Sequence, residues 1–211
     1  MSQQGSHDNP SDKELANRIS NMCVLQTIES MASHATGVSV RLGFEQEAER
    51  QAQKNKNDLL MERRVEAYIH GKVDWSKEHI LKKIGSAIRL DQIQVKQVVE
   101  GLKNRSDDLG KVFQRVETVY APGDGDMVLG FLQQGYQVGL FIVVPESETK
   151  VNSHVFHIGI NEKGQPVDLS DTGKTQESIQ HLMQSGYLET ALQVTRELTN
   201  SWCIVAMREK E

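Results

Sequence analysis

Apolar positions recur at helical spacing near the start of the chain and as strand-like runs near its end, and that change of period sets the expected architecture. Val24, Leu25, Ile28 and Met31 fall on one helical stripe, which Gly37 closes. Its start has two candidates. Ser11 with Glu14 in "SDKE" forms a capping box that starts a helix near Asp12. Ser20 or Asn21 in "SNMC" offers a second start, which puts Cys23 in a first turn. "GVSVRLGF" reads as a short strand or a connection, and residues 1–10, polar with Gly and Pro, as a disordered tail.

Residues from about 44 to 118 are dense in Glu, Lys, Gln and Arg and poor in β-branched clusters. "FEQEAERQAQKNKNDLLMERRVEAYIHGK" suits a long helix, solvated early and more buried around Leu59–Ile69. Ser76 and Asp91 are positioned to cap two further helices, "KEHILKKIGSAI" and "QIQVKQVVEGLKN". After "APGDGD" the pattern changes. "DMVLGFLQQG" is a short helix capped by Asp124 or Asp126 and stopped by Gly135. "YQVGLFIVV" is apolar enough for the centre of a sheet. "SHVFHIGINEKGQPVDLSDTG" is a hairpin turning at "NEKG", "ESIQHLMQSGYLETALQVTREL" a helix and "SWCIVAMRE" a closing strand. Helices first and a mainly antiparallel sheet afterwards make the expected class α+β.

Composition narrows the function. At 211 residues the chain suffices for one domain with a sizeable core, spanning about 11–211. A net charge of −5 and a pI near 5.8 argue against nucleic acid or a polybasic membrane contact. No apolar run approaches the roughly 18–20 residues of a membrane span. The N-terminus "MSQQGSHDNPSDKE" has neither a basic n-region nor an apolar h-region, so the expected place is the cytoplasm, or export by a route without a signal peptide. Two cysteines do not make a disulfide framework, and each is judged as a thiol.

The hairpin carries titratable groups on both arms. A four-residue turn centred on Glu162 and Lys163 opposes His157 to Asp168 and His154 to Asp171. Directly opposed side chains have Cβ atoms about 4.5–5.5 Å apart, within reach of an imidazole–carboxylate hydrogen bond. In a regular strand positions 154 and 157 point to opposite faces, which argues against a metal site built from both histidines. No cofactor is expected. A His–Asp pair can polarise a nucleophile, and Cys23 is the better thiol: at a helix start, the positive dipole end and free N–H groups favour a thiolate. Cys203, among apolar strand neighbours, reads as a buried structural thiol.

Cys23 near a helix start, His154 opening a strand 131 residues later, and an acid on the next strand resemble the papain-like cysteine hydrolases. "FLQQGYQVGLFIVV" before the histidine and "VDLSDTG" after it resemble the same superfamily. The resemblance covers the N-terminal helix and residues from about 126 to 211, and makes 44–118 a helical insertion. It implies a triad of Cys23, His154 and Asp171, with Asp168 as the alternative acid. Asn17 stands six residues before the cysteine, where papain carries an oxyanion glutamine. "NMCVL" lacks the Gly, Ser and Trp around the papain cysteine, so the chain looks more like divergent bacterial effectors and toxins. That implies a protein substrate, including a host protein, and acyl transfer as protease, deubiquitinase, glutamine deamidase or transglutaminase. The reading from a different class is a non-catalytic α+β module that binds a partner through its helical segment.

Overall fold

The computed structural model describes residues 12–42, 78–122, 125–145, 151–170 and 203–211. These form four helices and a five-stranded antiparallel sheet, so the class is α+β. In chain order they are α1 (Asp12–Thr36), α2 (Glu78–Lys103), α3 (Asp108–Gln114), β1 (Val116–Ala121), α4 (Gly125–Gln133), β2 (Gln137–Pro145), β3 (Val151–Ile160), β4 (Pro166–Asp168) and β5 (Ile204–Glu209). The sheet order is β1-β5-β2-β3-β4, which makes the apolar strand β2 central, as its composition predicts. The expected tail, the helix after Phe44, the cap at Ser76 and the helix before β5 lie outside the described residues.

α1 runs from Asp12, near the start expected from "SDKE", whose cap at Ser11 lies outside the described residues, to Thr36, and Gly37 after it has the φ of +68°, the left-handed conformation of a helix C-terminus. It runs without a break through Ser20 and Asn21, so the second start is corrected. Cys23 lies about three turns inside the helix rather than in a first turn. The two helices expected around Asp91 are likewise one. Asp91 sits in the interior of α2, and Ser86 returns its hydroxyl to the Lys82 carbonyl (3.1 Å) instead of ending a segment. α4 starts at Gly125, which puts Asp126 in its first turn rather than at its cap, and Gly135 (φ +80°) follows its end.

Two elements escaped the sequence reading. β1, "VETVYA", is rich in β-branched and aromatic residues but follows a charged helical stretch that masks it. α3 is capped by Asp107, whose Oδ1 accepts from the Gly110 N–H at 2.9 Å. A Cβ on Gly110 would lie 2.1 Å from the Arg105 carbonyl oxygen, so this turn closes only on glycine. Gly110→Ala should therefore lower stability by about 1–3 kcal/mol, read as a shift in the denaturation midpoint.

The hairpin pairs one residue away from the expected register. Ile158 faces Asp168, Gly159 faces Val167 and Ile160 faces Pro166. The cause is a five-residue loop. The Asn161 N–H donates to the Gln165 carbonyl (2.9 Å), and the Asn161 side-chain oxygen accepts from Lys163 N–H (3.0 Å) and Gln165 N–H (2.9 Å). Gly164 supplies the positive φ, +73°. A one-residue slip exchanges the faces of a strand, so Asp168 does not oppose His157.

The core lies where α1 and α2 meet the sheet. Val24, Ile28 and Met31 of α1 pack with Val95 and Val99 of α2, Phe113 of α3 and the apolar side chains of β2, β3 and β5. Among the described residues no helix is long and apolar enough to cross a membrane.

Candidate functional site

α1 lies flat on one face of the sheet because the sheet offers a gap there. A Cβ on Gly139 of β2 would stand 2.8 Å from Met31 Sδ, 2.8 Å from Val205 Cγ1 and 3.2 Å from Thr27 Cγ2. Thr27 donates its hydroxyl to the Val155 carbonyl at 2.9 Å, and Ser30 approaches His157. These two contacts run α1 and β3 side by side in one direction. Cys23, one turn before Thr27, then comes level with about Ser153 and His154, given roughly 1.5 Å per helical and 3.3 Å per strand residue.

His157 is fully buried, and its ring meets polar partners from α1 and β2. Its Nε2–H donates to Gln137 Oε1 of β2 at 3.0 Å, a tautomer assigned from that amide oxygen. Nδ1 then accepts from the Ser30 hydroxyl at 2.8 Å, and the same hydroxyl lies 3.1 Å from the Leu169 carbonyl. His34 stands edge-on to the ring with centroids 5.1 Å apart, its Nδ1–H donating to the Ser30 carbonyl at 2.8 Å. Burial pushes the His157 imidazole down from 6.5 to about 3, and the neighbouring His34 adds to that direction. His157 is thus neutral near pH 7.

Asp168 is also buried, but its carboxylate reaches the histidine only through another group. Its Oδ1 accepts from the Ser170 N–H (2.9 Å) and hydroxyl, while Ser170 Oγ accepts from the His157 backbone N–H at 3.3 Å. Asp168 therefore braces the backbone at the end of β4, and its contact with His157 runs through Ser170 to the backbone N–H rather than to the ring.

Cys23 is buried, 6 % exposed, on the side of α1 that packs into the core. Its position inside the helix removes the dipole argument for a thiolate, because the N-terminal field falls off within the first turn. Cys203 is fully buried, as expected, and its backbone joins Ala121 and Phe141 at 3.0 Å each. His154 is in β3 with its backbone opposite Ile142, on the alternate set of strand positions from His157. Its side chain, that of Asn17 and all of Asp171 lie outside the described residues. The described residues thus join Ser30, His157, Gln137 and His34, and leave Asp168 on a separate branch.

A polar cleft of about 400 Å³ opens beside this group, between the second half of α1, the segment 37–42 and residues 169–170. The segment lacks regular structure and is strapped to α1. Val40 N–H donates to Ser33 Oγ (2.9 Å), and Leu42 N–H to Glu29 Oε2 (2.7 Å). Arg41 Nη1 donates to Glu29 Oε1 at 3.3 Å. Sequence reading missed Glu29, Ser30 and Ser33. The available signal was their spacing of three and four residues, which lines one flank of the α1 stripe. Among the described residues no group of three or more His, Cys, Asp or Glu side chains could hold a metal ion. No family model matches this chain, and neither the curated proteins nor the solved structures contain a match to it.

Proposed function

We propose that the chain is a thiol-dependent acyl-transfer enzyme of papain-like type acting on a protein substrate, with Cys23 as nucleophile and His154 as its base. The observation that supports this reading is the course of α1 along β3, set by the Thr27–Val155 and Ser30–His157 contacts, which makes Cys23 level with about residues 153–154 of that strand. His157 does not compete for the role. It is engaged by Ser30, two turns and about 10 Å along α1 from Cys23, and burial makes its imidazole a weak base near neutrality. His154 would take the Cys23 proton, and the thiolate would attack a carbonyl carbon of a peptide bond or a glutamine carboxamide. Asp171, with Asp168 as the alternative, would orient the imidazole, and Asn17 would assist the oxyanion. The departing amine or ammonia would take its proton from His154, and water would release the acyl group.

A second reading, a non-catalytic protein-binding module, is favoured by one specific finding. Cys23 is buried inside α1 on its sheet-facing side, and His154 belongs to the strand positions alternate to those that meet α1. Alkylation by iodoacetamide separates the two readings, with Cys203 as the internal control. The enzyme reading expects Cys23 to label well below pH 8, at least about tenfold faster than Cys203, and to slow in His154→Ala. Equal, slow labelling of both thiols, rising only near pH 8.5 and unchanged in His154→Ala, would replace it with the binding module.

A further inference from the structure

In the cleft beside α1 the acceptors are engaged within the chain, and donors remain. Glu29 accepts from the Leu42 N–H (2.7 Å) and from Arg41 Nη1 (3.3 Å). Ser33 Oγ accepts from the Val40 N–H at 2.9 Å. The carbonyls at the C-terminal end of α1 are engaged as well. That of Ser30 takes the His34 Nδ1–H (2.8 Å), that of Ala32 the Thr36 hydroxyl (2.8 Å) and that of Ser33 the Gly37 N–H (2.9 Å). Arg41 differs. Its side chain is 60 % exposed, and among the described residues Nη1 makes its one hydrogen bond, which leaves the fork of Nε and Nη2 open. The Ser33 hydroxyl, an acceptor towards Val40, keeps its proton to donate. Both side chains line the cleft, together with Leu169 and with Val38, an apolar side chain 40 % exposed.

We propose that this cleft binds the carboxylate of a peptide through the Nε and Nη2 fork of Arg41 and the Ser33 hydroxyl, with the aliphatic part of the ligand resting on Val38 and Leu169. A guanidinium fork matches a carboxylate in two parallel bonds. Glu29 stays paired with Nη1 throughout and holds the guanidinium in the cleft wall. One guanidinium shared with an acid neutralises a single further charge at most, so a monoanion is favoured over a dianion, whose desolvation costs more. The volume, about 400 Å³, lies within the roughly 300–1,000 Å³ of small-ligand sites and suits one acidic side chain or one chain end. The inference does not depend on thiol chemistry at Cys23.

The test is a titration of the full chain, read by backbone amide NMR shifts, with N-acetyl-glutamate α-amide, N-acetyl-alanine, the neutral N-acetyl-glutamine amide and inorganic phosphate. The first probe carries a side-chain carboxylate and the second a terminal one, so the tighter of the two identifies the source. It should move the Val38, Val40 and Leu42 signals, and the glutamine derivative should not. Arg41→Gln keeps a donor for Glu29 without the positive charge, and should weaken the tighter probe about tenfold or more. Arg41→Lys keeps the charge but not the fork, and should fall between Arg41→Gln and wild type. Where a variant fails to fold, the comparison of probes on the wild-type chain decides alone. Equal shifts from the glutamate and glutamine derivatives, phosphate bound more tightly than both carboxylates, or an unchanged affinity in Arg41→Gln would each overturn the proposal.

Discussion

Acidification below pH 6.5 should destabilise the folded chain, and His157→Gln should remove most of that sensitivity. The sign follows from linkage. The folded-state value near 3 lies below the unfolded 6.5, so the unfolded chain binds the proton first and stability falls as pH drops through that interval. At about 1.4 kcal/mol per pH unit the interval sets a ceiling of roughly 5 kcal/mol. The hydrogen-bond geometry works against that ceiling. A protonated ring can donate to Ser30 Oγ from Nδ1 and keep its bond to Gln137, while the Ser30 hydroxyl donates its hydrogen bond to the Leu169 carbonyl. Burial, together with His34 at 5.1 Å, is what opposes the charge. The expected loss between pH 7 and pH 4 is therefore about 2–3 kcal/mol by urea denaturation. Glutamine keeps a donor and an acceptor between Ser30 and Gln137 but cannot take the proton. A pH slope as steep in His157→Gln as in wild type would show that other groups carry the acid transition.

Gly139→Ala should cost about 1–3 kcal/mol and loosen α1. The added methyl would stand 2.8 Å from Met31 Sδ and 2.8 Å from Val205 Cγ1. Met31 can yield by rotating its flexible end, but Val205 is a fully buried, stiff strand residue in a paired position. The helix must then move away from β2, and the Thr27–Val155 and Ser30–His157 contacts lengthen with it. Cys23 is on the same helix, so its alkylation should quicken in Gly139→Ala while that of Cys203, held between Ala121 and Phe141, changes less. A thermal midpoint within one degree of wild type would show that the interface absorbs the methyl without moving α1.

These contacts separate what could be read in the chain from what could not. α1 was legible from the apolar stripe Val24, Ile28 and Met31 and from Gly37 at its end, because helical periodicity and the left-handed glycine are local. β2 was legible as a central strand because an unbroken apolar run has to be buried on both faces. Asp91 misled, because a residue able to cap a helix is also tolerated inside one when tertiary packing of Val95, Val99 and Leu102 holds the helix together. The hairpin register was misread for a similar reason. Whether Asn161 to Gln165 closes as four residues or five depends on which amides its side chain captures.

Residue types and order alone determined that this is an α+β chain and that its sheet centres on β2, and they named Cys23, His154, His157, Asp168 and Asp171 as candidates for chemistry. Only the tertiary structure decided the company they keep. It buried Cys23 inside a helix, gave His157 to Ser30 and Gln137, tied Asp168 to Ser170, and set Glu29 against Arg41 beside an open cleft. Periodicity states which side of an element is apolar. The seating of α1 along β3 depends on a missing side chain at Gly139 and on hydrogen bonds spanning more than a hundred residues, and no local pattern encodes either.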